Sequence, residues 1–328
     1  MKNKLLKKAR ILAYVKGFID NAQYKIIKGG KLGLSERSIA NYKNFDKIIS
    51  HYETYCHEEL FFNSFNAAAI ERFKRWLLEE ERYSLNHAGR IMGYLKTLFK
   101  TAANDEIDTG GYAHLISGFS KPKQDQFINT ISFEEYERIV ALKYTVERLR
   151  NVQKWVILGF WLGQRVSDLL RLESSWIRPA ENGGLYIDIE QQKTKKRVTI
   201  GVIDRLTLKI LREDFPRKIG NRCFNRYMKE VCKDAGITQL VKGYKLNVKT
   251  SRKELGTHPK YELLSSHDLR RSFATNFFGK IETPVLMQMT GHSRESTFLS
   301  YIGMGENKDI YANSFMQGLL EMKASKIC

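Results

Sequence analysis

Residues 267–275 read HDLRRSFAT, and this short stretch carries the strongest signal in the chain. His267 and Arg270 are three residues apart, so a helix places both on one face. A histidine handles protons and an arginine neutralises phosphate oxygens, so the pair suits phosphoryl chemistry.

Ser132 to Glu135, well upstream, has the form of a capping box and predicts that a helix opens there.

Downstream, residues 290–301 read TGHSRESTFLSY and add His292 and Tyr301. Upstream, residues 162–170 read LGQRVSDLL and place Arg165 after the apolar run WVILGFWL. An arginine beside a hydrophobic wall is costly unless a carboxylate or phosphate pairs with it. Arg165 therefore either binds a phosphate or forms a salt bridge with Asp168 or Glu173.

The segment between these motifs predicts a β-hairpin with a lysine-rich tip. Apolar and polar residues alternate over 185–190 and again over 198–202, and the polar stretch 191–196 separates them. Lys193, at this tip, either delivers a proton or lies in solvent.

Composition points to a polyanionic partner. The 328 residues carry 55 Lys and Arg against 36 Asp and Glu, a net charge of +19, and both halves share the surplus. Such an excess suggests nucleic acid, although a merely basic protein is the alternative. Nucleotide-binding loops, zinc-protease helices and hydrolase elbows have no matching motif in the sequence.

The first half of the chain reads as helices. The apolar spacing predicts helices over 11–27, after Ser35, over 67–80 and over 87–101. Residues 242–262 predict irregular or short-strand structure, and residues 309–323 predict an amphipathic helix. Its apolar side carries Ile310, Phe315, Leu319, Leu320 and Met322.

Taken together, the motifs resemble those of the tyrosine recombinases, also called phage-type integrases. The resemblance rests on the order of these residues: Arg165, Lys193, His267, Arg270, Gly291-His292 and Tyr301. It covers residues 130–305 and extends more loosely over 31–102, where LSERSIANY and SLNHAGRIMGYLKTLF look like the helical core-binding domain.

The resemblance implies a mainly α fold with a small β-sheet (α+β). A helical core-binding, SAM-like DNA-binding domain would occupy residues 1–118 and a linker 119–128. A catalytic domain ending in a C-terminal helix would occupy 129–328. Recombinases pass such a helix to a neighbouring protomer, although packing on its own domain is the alternative.

The resemblance also implies a role for each residue. Tyr301 would attack a DNA phosphate and form a 3′-phosphotyrosyl bond, Lys193 would protonate the leaving 5′-oxygen, and His267 would accept a proton or contact the phosphate. Arg165, Arg270 and His292 would bind the non-bridging oxygens. Neither ATP nor a metal is implied. Further DNA contacts are expected from Arg90, Lys96, Lys100, Lys195, Lys196 and Arg271.

Two departures from the family pattern stand out. The family commonly has T-G-L-R where this chain has Leu162-Gly163-Gln164-Arg165, and Gly201 stands where the second hairpin strand usually ends in proline. In addition, Lys195 and Lys196 compete with Lys193 for the general-acid role. A type IB topoisomerase and a non-catalytic DNA-binding relative are the alternative functions.

The expected partner is double-stranded DNA, with a homotetramer on synapsed duplexes and a monomer as the option for the free protein. The basic N-terminus lacks the apolar block of a secretion signal and the four cysteines form no C-x-x-C pair. We therefore expect a cytoplasmic protein, and the resemblance implies a nucleoid-associated enzyme of a mobile genetic element.

Overall fold

The first 126 residues form a helical unit in the computed structural model, and residues 127–328 form a second unit that also contains strands. The mainly helical fold class expected from the sequence is confirmed. The structure describes residues 7–27, 30–121, 127–247, 249–250, 252–303 and 308–324.

Within its described residues, the first unit contains four α-helices and a hairpin whose two strands are two residues long. They are α1 (Ile11–Asp20), β1 (Ile26–Ile27), β2 (Lys31–Leu32), α2 (Glu36–Cys56), α3 (Ala67–Arg75) and α4 (Leu85–Asn104). The predicted Ser35 cap of α2 is confirmed, since its hydroxyl accepts from the Ser38 amide. A π-helical turn, Trp76–Glu80, continues α3 to the predicted end.

The predicted helix over 11–27 is wrong in its second half. Helix α1 ends at Asp20, a 3₁₀ turn covers Ala22–Tyr24, and Ile26 pairs with Leu32. Isoleucine favours strands, and Ile26 and Ile27 are adjacent in the sequence, whereas Gly29 of the predicted helix stop lies outside the described residues. The local hairpin therefore replaces the last turns of the predicted helix.

Helix α4 contributes a long buried face to the first unit and packs against α2 and the π-helical turn after α3. Its central residues Leu95, Leu98 and Phe99 are fully buried. The chain after α4 returns across it so closely that a Cβ at Gly89 would overlap the Phe119 carbonyl oxygen. The backbone can approach the helix here because residue 89 has no side chain.

The second unit contains ten helices and five strands within its described residues. They are α5 (Phe133–Ala141), α6 (Glu147–Leu162), α7 (Val166–Leu169), β3 (Ile177–Pro179), β4 (Leu185–Glu190), β5 (Arg197–Val202), α8 (Arg205–Glu213), α9 (Asn221–Asp234), β6 (Leu240–Asn247), β7 (Arg252–Pro259), α10 (Lys260–Leu263), α11 (Ser266–Phe277), α12 (Thr283–Thr290), α13 (Glu295–Ile302) and α14 (Lys308–Ala324).

Helix α6 lies at the centre of this unit. It is buried along nearly its whole length, as its apolar sequence requires, and it packs against α5, α8, α9 and α11. Its C-terminal half, Trp155–Leu162, is apolar, and the buried polar side chains Asn151, Gln153 and Lys154 lie in its first half. Its C-terminal end at Gly163 leads directly into Arg165. The predicted capping box at Ser132 and Glu135 is present at the start of α5.

An antiparallel sheet in the order β3-β4-β5 covers one side of this core. The predicted hairpin is confirmed, because β4 and β5 pair in register from Leu185–Val202 to Glu190–Arg197. Alternate residues of both strands are buried and their neighbours are exposed. The alternating pattern thus directs the apolar side chains inward and sends the tip beyond the sheet.

The prediction for residues 242–262 underestimated the strand content. Strands β6 and β7 are eight residues each and pair along their full length, from Leu240–Pro259 to Asn247–Arg252. Their sequence is rich in lysine and glycine and largely exposed, so the hydrophobic alternation that reveals a strand is missing.

The predicted C-terminal helix is present as α14. Phe315, Leu319 and Leu320 keep 69%, 41% and 67% of their surface exposed, so these side chains are not packed on their own domain. The side chains of Ile310 and Met322 lie outside the described residues.

Candidate active site

Four separate segments of the second unit converge on one small space. They are the turn after α6, the tip of the β4–β5 hairpin, the first turns of α11, and the α12–α13 segment. Each contributes at least one residue that the sequence singled out. The structure therefore brings Arg165, His267, Arg270, His292 and Tyr301 together.

Arg270 is a buried cation. Only 1% of its surface is exposed, although arginine is almost never fully buried without a partner. Its guanidinium donates to the Gly163 carbonyl oxygen at 3.1 Å and lies 3.5 Å from Nε2 of His292. Burial and the neighbouring Arg165 lower its pKa to about 10. No ion pair joins Arg270 to a carboxylate of the described chain, so its charge suits an external anion.

Arg165 does not form the salt bridge considered as an alternative. Its Nη1 donates to Oε1 of Gln191 at 2.7 Å. Asp168 instead pairs with Arg171, and Glu173 pairs with Lys218. The guanidinium of Arg165 therefore keeps its charge and its remaining donors for the shared space.

His292 is held by Thr290. The Thr290 hydroxyl donates to the Leu286 carbonyl oxygen at 2.6 Å and lies 2.8 Å from His292 Nδ1. Because the hydroxyl proton is already used, the hydroxyl oxygen accepts from Nδ1–H, which leaves Nε2 facing Arg270. Burial and the charges of Arg270 and Arg165 lower the His292 pKa to about 4. The imidazole is therefore neutral at neutral pH.

His267 and Tyr301 lie side by side. Their ring centroids are 5.1 Å apart, and the Tyr301 hydroxyl donates to the backbone carbonyl oxygen of His267 at 3.2 Å. Burial raises the Tyr301 pKa to about 12, and desolvation with the nearby arginines lowers the His267 pKa to about 4. The hydroxyl thus keeps its proton at neutral pH, and the neutral His267 ring is able to accept one.

The lysines at the hairpin tip lie within electrostatic reach of the histidines. The charge of Lys193 contributes to the lowered pKa of His267, and that of Lys196 to the lowered pKa of His292. Lys195 has a left-handed backbone, with a φ of 56°. Lys193 and Lys196 are therefore the two tip lysines whose charges act on the histidines, and both remain candidates for the proton donor.

The proposed DNA contacts fall into two groups. Arg90 and Lys100 are exposed and Lys96 is half-buried on α4, far along the chain from the four segments of the candidate site. Arg271, in contrast, lies over the Tyr301 ring at 4.9 Å and pairs with Asp268 at 3.5 Å. Arg271 thus belongs to the surroundings of the tyrosine.

Sequence reasoning missed the two glutamines of the site. Gln191 and Gln164 are 0% and 1% exposed and hydrogen-bond to each other. The alternation of buried Leu185, Ile187 and Ile189 continues onto Gln191, so strand periodicity predicts its burial. The polar character of residues 191–196 obscured that signal.

Among the described residues, no helix combines the length and apolar character needed to span a bilayer. Nor does any group of three or more His, Cys, Asp or Glu side chains in that part of the chain form a cluster suited to a metal ion.

Comparison with known proteins places the fold. Residues 17–112 match the family model of the phage integrase SAM-like domain. No curated protein matches the chain by sequence.

Solved structures match over both units. A lambda integrase fragment, a dimer bound to a core site, has a TM-score of 0.65 at 16% identity, with 92% of this chain and 98% of that chain covered. XerH recombinase in a post-cleavage complex has a TM-score of 0.61 at 15% identity, with 94% of this chain and 95% of that chain covered. A lambda integrase tetramer on a Holliday junction has a TM-score of 0.59 at 17% identity, with 88% of this chain and 79% of that chain covered. The resemblance found in the sequence is therefore confirmed at the level of the fold.

Proposed function

Because the chain has the fold of the tyrosine recombinases, we propose that it is a site-specific DNA recombinase of a mobile genetic element. The observation that carries this proposal is the buried Arg270, which lies beside Arg165 and Tyr301 without an ion-paired carboxylate in the described chain. A site of this kind suits a phosphate diester that brings its own negative charge.

The reaction follows from the proton states of the site. The Tyr301 oxygen attacks the phosphorus and forms a phosphotyrosyl bond, while the bond from phosphorus to the 5′-oxygen breaks. The tyrosine proton passes to neutral His267, and Lys193 protonates the leaving 5′-oxygen. Arg165 and Arg270 stabilise the charge that develops on the non-bridging oxygens.

Rejoining reverses these steps with a different 5′-hydroxyl. The phosphotyrosyl bond retains the energy of the broken phosphodiester, so resealing consumes no nucleotide. In this reversal His267 returns its proton to Tyr301, and Lys193 takes one from the attacking 5′-hydroxyl, so the site ends each cycle in its starting state.

The proposed partner is double-stranded DNA. A homotetramer would bind two duplexes together at the nucleoid. Support comes from the net charge of +19 and from the exposed apolar residues of α14. We propose that α14 docks on a neighbouring copy, which would cover Phe315 and Leu320.

A covalent adduct tests the proposal directly. The protein is incubated with a library of random-sequence duplexes that each carry one nick, because diffusion of the short released strand prevents resealing. We expect an adduct that survives denaturation and carries an enriched DNA sequence. The Tyr301→Phe variant should bind the enriched DNA and form no adduct.

Two results would contradict the proposal. If the native protein binds DNA and never forms an adduct, it is a non-catalytic relative. If it relaxes supercoiled plasmids that lack the enriched sequence, it acts as a topoisomerase.

A further inference from the structure

We infer that the buried pair Gln164–Gln191 positions both Arg165 and the turn that carries Lys193, and so acts as a positioning device for strand cleavage. This inference rests on the proposed function. The argument begins from the hydrogen-bonding capacity of Gln191, which is fully buried at the end of β4.

All four hydrogen-bonding positions of the Gln191 side chain are used. Its Oε1 accepts from Arg165 at 2.7 Å and from the Thr194 hydroxyl at 2.8 Å. Its Nε2 donates to Oε1 of Gln164 at 3.1 Å and to the Thr290 carbonyl oxygen at 3.2 Å. One side chain thus links the turn after α6, the hairpin tip and the end of α12.

Gln164 fixes which way the Gln191 amide points. The Nε2 of Gln164 donates to the carbonyl oxygens of Leu162 and Met289, at 2.9 and 2.8 Å, so its Oε1 must face Gln191. If the Gln191 amide were reversed, its NH₂ group would face the donors of Arg165 and its oxygen would face two acceptors. The pair therefore presents an acceptor to Arg165 and leaves the other guanidinium donors free.

Gln191 also holds the turn that carries Lys193. Its backbone N–H donates to the Lys196 carbonyl oxygen, and its carbonyl oxygen accepts from the Lys195 amide, both at 2.8 Å. With the Thr194 contact, three hydrogen bonds close the turn on this one residue. A solvent-exposed turn is thereby tied to a buried anchor.

The neighbouring backbone leaves space for this anchor. A Cβ at Gly291 would overlap the Gln191 side-chain amide, so only glycine permits the approach. The φ of Gly291, 71°, also favours glycine. The segment that ends in His292 is therefore shaped around Gln191.

The test compares single-turnover cleavage of the enriched nicked site by four variants. Gln191→Met and Gln164→Met remove the amides at nearly constant size, and Thr194→Val removes only the hydroxyl contact. Gln153→Met is the matched control, because Gln153 is a buried glutamine that donates to the Ile139 and Leu142 carbonyl oxygens.

We expect Gln191→Met to slow cleavage about a hundredfold, since a displacement of about 1 Å in a catalytic group has that effect. Gln164→Met should be slowed less. Gln153→Met should lower the melting temperature about as much as Gln164→Met and leave the cleavage rate of the folded protein unchanged.

A second substrate separates positioning from loss of structure. With sulfur in place of the bridging 5′-oxygen, the leaving group needs no proton. Thr194→Val, which only loosens the lysine turn, should be slow on normal DNA and regain the native rate on the sulfur substrate. Gln191→Met should stay partly slow there, because Arg165 is also displaced.

The outcomes are distinct. Native cleavage by folded Gln191→Met, or a Thr194→Val defect that persists on the sulfur substrate, overturns this inference alone. A native protein that forms no adduct overturns the proposed function first, and that result is visible before any variant is made.

Discussion

Arg165 and Arg270 meet at the same space, yet their supports differ. Arg270 is buried and bonded to a backbone carbonyl, whereas Arg165 is half-buried and bonded to Gln191. We expect Arg165→Ala and Arg270→Ala each to slow cleavage by about a hundredfold to a thousandfold or more, as loss of one transition-state donor does. Single-turnover assays measure this.

Arg212→Ala is the control for this comparison, since Arg212 donates to the Gly183 carbonyl from an exposed position on α8. It should cleave at the native rate. A loss below tenfold for Arg165→Ala or Arg270→Ala would identify that arginine as structural.

The general acid is the other open choice at the residue scale. If Lys193 protonates the leaving oxygen, Lys193→Ala should be slow on normal DNA and near the native rate on the sulfur substrate. Lys195→Ala should weaken binding in a salt-dependent way without this rescue.

Lys196 is the sharper competitor, because its charge reaches His292. Rescue of Lys196→Ala by the sulfur substrate, with none for Lys193→Ala, would transfer the role to Lys196.

The histidine pKa values predict how stability depends on pH. His267 and His292 have pKa values near 4 in the folded protein and about 6.5 when unfolded. Between these values the unfolded chain binds more protons, so the free energy of unfolding falls as the pH drops from about 6.5 towards 4.

Carboxylates also titrate between about pH 4 and 6.5 and change the free energy of unfolding. The contribution of the histidines is therefore the difference in that free energy between the native protein and a variant without them. Denaturant titrations of native protein and the His267→Asn, His292→Asn double variant should diverge as the pH falls, with a smaller loss in the variant. Parallel curves would show that the histidines are protonated in the folded state.

At the scale of elements, α4 offers a matched pair of glycines. A Cβ at Gly89 would overlap the Phe119 carbonyl oxygen, whereas a Cβ at Gly93 meets nothing within 4 Å. We expect Gly89→Ala to lower the free energy of unfolding by about 1–3 kcal/mol or more, through overpacking.

Gly93→Ala should instead raise it by about 0.5–1 kcal/mol, as alanine replaces glycine inside a helix. Chemical denaturation measures both. Equal effects of the two substitutions would mean that the chain after α4 does not lie against Gly89 in solution.

Elements with a clear hydrophobic pattern were predictable from the sequence. Elements that lack such a pattern, and whose pairing is visible only in backbone hydrogen bonds, were not. The β4–β5 hairpin follows from the alternation of apolar residues, and the C-terminal half of α6 follows from its continuous apolar run WVILGFWL. Strands β6 and β7 lack that spacing, and α1 ends early because the strand preference of Ile26 competes with helical continuation.

The same distinction holds for the site. The charged residues were found from their motif order, since their chemistry is visible in their type. Gln164 and Gln191 are uncharged, and their role depends on contacts between segments far apart in the chain. Sequence alone does not specify such contacts.

At the scale of the whole molecule, each unit has its own buried hydrophobic clusters, one in the first unit and two in the second among the described residues. We expect the fragment 127–328 to fold alone and to unfold cooperatively in calorimetry. It should bind the enriched DNA more weakly than the full chain and with a smaller dependence on salt, because the basic residues of the first unit are missing. Aggregation of the fragment would contradict independent folding of the second unit. Binding as tight as that of the full chain would contradict a contribution of the first unit to DNA affinity.

The contact between Gly291 and Gln191 also constrains how this sequence can change over evolutionary time. A side chain at position 291 would meet the Gln191 amide and would also have to adopt a positive φ, so a smaller residue 191 removes only one of the two obstacles. Descendants of this gene therefore have no neutral single step away from the glycine. Residues 164 and 191 are different, because they are linked by a side-chain hydrogen bond and either can be matched by a change in the other, so a lineage that alters one of them should also alter its partner.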